Sequence, residues 1–163
     1  MALSAIPLAY RLFFLYIEPV SALVGSCYAG GFPAKYLAYL TASPSAADLT
    51  RTLPPPTATL AVLYQLSNLY FLFALNEALV LRSTASLRTW RVLLFCLLIA
   101  DFGHLATMIP LALEKGWAEV FVRFWAWDAM EWGSVGFVYA GASMRMAFLL
   151  GLGLGEGAKA KEE

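Results

Sequence analysis

Four apolar runs, each long enough to cross a membrane, constrain this chain more than any other feature. A helix needs about 20 such residues to cover the hydrocarbon core. Residues 8–30, 57–81, 89–113 and 118–149 of the 163-residue chain reach that length. The expected fold is all-α: one polytopic domain forming a four-transmembrane-helix bundle around a central polar cavity, with residues 150–163 as a flexible cytosolic tail. Composition agrees, with 61% hydrophobic and only 13% charged residues, against about a quarter charged in soluble domains. The first run does not read as a cleavable signal peptide, because it lacks a basic start and contains Glu18 and Pro19. A net charge of zero gives no electrostatic case for nucleic acid.

The segment SPSAADLTRTLPPPT reads as a loop. RSTASLR and EKGW are short connections that place consecutive helices side by side and antiparallel. An even number of spans puts both termini on one side, with Arg11, Arg82, Arg88, Arg91, Arg145, Lys159 and Lys161. The opposite side carries Lys35, Arg51, Lys115 and Arg123. The positive-inside rule then predicts cytosolic termini. The final KAKEE resembles the K-x-K-x-x retrieval signal of endoplasmic-reticulum membrane proteins and predicts that address. Cys27 and Cys96 lie in apolar segments without metal-ligand spacing, so both are expected as buried free thiols.

Each span also carries groups that are costly in hydrocarbon, and such groups usually face a bundle interior and mark a site. These are Glu18; Gln65, Asn68, Asn76 and Glu77; Asp101 and His104; and Asp128 and Glu131. At about 1.5 Å of rise per residue, Glu18 lies roughly 15 Å into its span, Asp101 near the middle, and Asp128 and Glu131 roughly 15–20 Å from the far end of theirs. Four carboxylates from three helices are thus expected in one layer. Asp128 and Glu131 share a helix face, as do Asp101 and His104, and Gln65, Asn68, Leu72 and Asn76 form a stripe. All these faces are expected to point inward. Gln65, Asn68 and Arg123 also read more simply as groups that hydrogen-bond helices together.

An excess of carboxyls over basic partners predicts that some hold a proton, because burial and like charge raise a carboxyl pKa. Carboxyls with separated pKa values provide a general acid and a general base. Glu18, Asp101, His104, Asp128 and Glu131 are therefore the candidate catalytic residues. Asn68, Asn76, Glu77, Trp127 and Trp132 are candidate substrate-binding residues, although each tryptophan reads more simply as a large apolar packing residue. One histidine with scattered carboxylates makes no zinc signature, and no nucleotide loop or serine-hydrolase elbow is present, so neither metal nor cofactor is expected.

The segments YRLFFLYIEP, NLYFLFALNEA, DFGH and W-D-x-x-E-W resemble a family of small fungal four-helix membrane proteins. Some members act in polyketide pathways of the aurovertin and citreoviridin type. That resemblance implies hydrolysis or cyclisation of epoxides on an apolar polyene. A more distant similarity is to the emopamil-binding and sigma-2-receptor group, which implies sterol or lipid isomerisation, or ligand binding without catalysis. The expected partners are a lipid bilayer and a polyene epoxide or sterol-like molecule, with a homodimer left open.

Overall fold

In the computed structural model residues 6–154 are described, and every regular element among them is helical. Helix α1 spans Leu8–Gly31. Two short helices follow, α2 (Pro33–Tyr39) and α3 (Pro44–Thr52). Helix α4 runs Thr57–Ser83 and α5 Leu87–Lys115. A short α6 (Trp117–Phe121) precedes α7, continuous over 129–149. Helices α1, α4 and α5 are long and apolar enough to cross a membrane. Helix α7 is not among these three; Glu131, Arg145 and three glycines interrupt its apolar run of sequence.

Local chemistry explains the irregularities. Pro19 has no amide proton, so the Leu15 carbonyl loses its usual helical donor. The helix widens into a π turn over Phe13–Ile17, and Arg82 donates to the Leu15 oxygen at 2.8 Å. Pro110 likewise cannot donate to Ala106, and α5 tightens at Met108 before resuming. Gly116, at φ +110°, makes the corner between α5 and α6, a conformation that side chains other than glycine rarely adopt.

Helix α1 packs along α4, and α5 along α7. The first pair approaches closely through small residues, where Ser26 and Ser67 each donate a hydroxyl to the other's carbonyl at 2.8 Å. A buried cluster of Tyr10, Phe14, Leu81, Trp90, Leu94 and Phe148 closes the end nearest the termini. The Tyr10 hydroxyl donates to the Leu152 carbonyl at 2.8 Å, and Leu154 is buried there.

Four expectations change. Residues 150–154 turn back onto the bundle instead of trailing away; the KAKEE segment lies outside the described residues. The proline-rich connection contains a helix, started by Pro44 in the first turn where no amide donor is needed. The fourth helix begins after Asp128, not at residue 118, because between Val122 and Asp128 the chain leaves α-helical geometry and makes only a 3-10 turn at Phe124–Ala126. Cys27 and Cys96 are free, as expected, but lie on the outer surface.

Candidate functional site

Arg145, four residues from the end of α7, is fully buried. Its Nη1 donates to Asp101 Oδ2 at 2.6 Å, and its Nη2 donates to Glu18 Oε1 at 2.6 Å and Glu77 Oε1 at 2.9 Å. One guanidinium thereby joins α7 to α1, α4 and α5. Helical side chains lean toward their own N-terminus, so Arg145 and Asp101, on antiparallel helices, lean toward each other. Gly141 makes room: a Cβ there would sit 2.8 Å from Arg145 Nη1 and 3.0 Å from Glu18 Oε1. The rings of Phe14 and Phe73 flank the guanidinium, 5.7 and 5.6 Å away.

Three carboxyls therefore share one cation. Glu18 Oε2 and Glu77 Oε2 are buried without a hydrogen-bond partner. Buried polar groups in this condition are uncommon and mark places where a proton, water or ligand completes the set.

Glu18 and Asp101 also line a cavity of about 640 Å³. Its walls come from α1, α2, α4, α5 and α7 and are largely apolar and aromatic, including Val24, Leu66, Leu69, Phe73, Phe137 and Val138. A largely apolar cavity of this size with a few polar groups in its lining suits a mostly apolar small molecule held by those fixed polar groups. His104, one turn beyond Asp101 on α5, lines the same cavity, and its Nε2 is buried without a partner. Near α2, the Tyr36 and Tyr70 hydroxyls lie 3.4 Å apart. Burial raises the Tyr36 phenol above the ordinary tyrosine value, keeping it a neutral donor.

The expected single layer of carboxyls divides in two. Glu18, Asp101 and His104 line the cavity, and Glu77 joins Glu18 and Asp101 through Arg145. Asp128 and Glu131 do not. Asp128 is exposed and caps α7, its Oδ1 accepting from the Met130 and Glu131 amides at 2.8 and 2.9 Å. Glu131 returns the bond to the Asp128 amide at 3.1 Å and pairs with Lys115. The pattern is a capping box, and it lies at the end of a helix because the α-helix starts only after Asp128, beyond a 3-10 turn at Phe124–Ala126.

The candidate binding residues also separate. Asn68 is exposed, Asn76 half-buried, and neither lines the cavity. The stripe of Gln65, Asn68 and Leu72 points outward because the opposite face of α4, with Leu63, Leu66, Tyr70 and Ala74, packs inward. Trp127 donates its Nε1 to the Glu119 carbonyl at 2.9 Å and stacks edge-on with Trp132, whose side chain is half exposed. Both brace the turn between α6 and α7. Arg145 is the residue sequence reasoning placed wrongly, among the charges outside the membrane. A lone arginine inside FVYAGASMRMAFLL was itself the signal of a buried partner for the carboxyls.

No curated protein and no solved structure matches the chain. A family model described as a domain of unknown function, DUF7704, matches residues 3–155, so the chain belongs to the DUF7704 family.

Proposed function

We propose that this chain is a membrane-embedded enzyme that opens epoxides on a long apolar substrate, by hydrolysis or cyclisation, inside the cavity walled by its four long helices. The carrying observation is that Glu18, Asp101 and His104 line one largely apolar cavity. Ring opening needs one group to take a proton from water, or from a substrate hydroxyl, as its oxygen attacks an epoxide carbon. A second group protonates the epoxide oxygen as the C–O bond breaks. The sum is addition of water, or an internal ether in cyclisation, with the protein's protons restored. Asp101 and His104 are the acid–base couple in this reading, and Glu18 holds the attacking oxygen or the epoxide. Arg145 acts as a positioning residue by fixing one oxygen each of Asp101 and Glu18. The resemblance to proteins of polyene pathways supports the substrate class. The KAKEE tail and the charge distribution support an endoplasmic-reticulum membrane with both termini in the cytosol.

The test supplies a polyene bis-epoxide to the purified chain in detergent and follows label from isotopically marked water into product. Turnover that falls about 100-fold or more in Asp101→Asn and His104→Ala is expected. A second reading, a lipid- or sterol-binding protein, is favoured by the way Arg145 engages all three carboxyls, as a structural network does. Saturable binding of a sterol with no turnover of any epoxide would decide for it. Conversion of a sterol double bond by the same residues would place the chemistry with the isomerases.

A further inference from the structure

We infer that two copies of this chain associate in the membrane along the outer face of α4, with Gln65 and Asn68 at the centre of the contact. The residues Ala58, Ala61, Gln65, Asn68, Leu72 and Leu75 recur at alternating steps of three and four, and every one is exposed. That spacing is the seam of a left-handed helix pair crossing at about 20°. Gln65, Asn68 and Asn76 are the chain's only amide side chains, and all three lie on α4. The side chains of Gln65 and Asn68 make no hydrogen bond among the described residues. They sit about 12 and 16 Å into the helix from Thr57, at hydrocarbon depth.

The neighbouring helices show what a lipid-facing surface looks like in this protein. The outer face of α5 presents Val92, Phe95, Ile99 and Phe102, and that of α1 presents Leu12, Tyr16 and Val20. Amides exposed at that depth cannot be satisfied by lipid. An amide both donates and accepts, so it is complementary to its own copy across a two-fold axis. Such an axis along the membrane normal sets α4 parallel to its partner, with Gln65 and Asn68 facing their equivalents. Ala58 and Ala61 on the loop-side turns let the backbones approach, as small residues do between membrane helices. The occupant this face selects is therefore a second copy of the chain.

The inference rests on the membrane placement proposed above and is independent of the epoxide chemistry. The experiment uses the full chain in lipid vesicles at defined density, in a Cys27→Ser, Cys96→Ser background. Ala61→Cys or Leu72→Cys should give oxidative dimers, and Val92→Cys on the outer face of α5 should not. Dimer fraction measured by energy transfer should show about tenfold weaker association in the Gln65→Leu, Asn68→Leu variant. Those substitutions face outward, so thermal stability of the monomer should hold. Cross-linking through Val92→Cys as readily as through Leu72→Cys, or association unchanged without the amides, overturns the inference. Alkaline extraction reads insertion separately: recovery of the chain in the soluble fraction would refute the membrane placement instead.

Discussion

Arg145 and Gly141 form a unit one helical turn apart, and the smaller residue sets the position of the larger. A methyl group at Gly141 would meet Arg145 Nη1 and Glu18 Oε1 at or below 3.0 Å. The guanidinium cannot swing aside, because three carboxyls hold it. Gly141→Ala should therefore destabilise the fold by about 1–3 kcal/mol, the usual cost of overpacking, read as a lower unfolding midpoint in detergent. Unchanged stability would mean that the network tolerates displacement. At this scale the sequence marked Glu18, Glu77, Asp101 and His104 as misplaced polar groups, and the structure gathers them. The guanidinium was missed because Arg145 lies near a chain end and charge counting assigned it to water. Its long side chain reaches back along the helix axis, a direction that span counting ignores.

Helix α7 shows what apolar length alone leaves undecided. The stretch from 118 to 127 is apolar enough to extend the last span, yet it turns, and the helix restarts at Asp128. The signal was present as D-A-M-E, an N-cap followed by glutamate at the third helical position. Asp128→Ala should cost about 1 kcal/mol, and Asp128→Asn only a few tenths, since asparagine also caps. Thermal unfolding of the two variants separates capping from charge, and equal losses would contradict the cap. The first three long helices lie where the apolar runs placed them, within a few residues at each end. The inward face of α4 was not legible: the 3, 4, 4 rhythm of Gln65, Asn68, Leu72 and Asn76 identifies a face but not its direction. Tyr70, Ala74 and Glu77 share the opposite face, which is the one that packs.

Across the whole molecule, one arginine links the four long helices beneath an apolar cavity. Removing it leaves three carboxyls buried with no cation among them. Arg145→Met should cost about 3–5 kcal/mol, as breaking a buried ion pair from one side does. Replacing Glu77 as well, with glutamine, should recover part of that loss, because one fewer carboxyl then lacks a partner. A double variant no more stable than Arg145→Met alone would argue against shared charge as the reason for the cluster. The central claim is that chemistry belongs to the cavity set and not to the carboxyl pair that caps α7. Turnover of a polyene bis-epoxide in labelled water, compared between Asp101→Asn and Asp128→Asn, tests it most directly. The account predicts a loss of about 100-fold or more for Asp101→Asn, with Asp128→Asn close to the unsubstituted chain. Equal losses in the two variants, or a larger loss at Asp128, would contradict it.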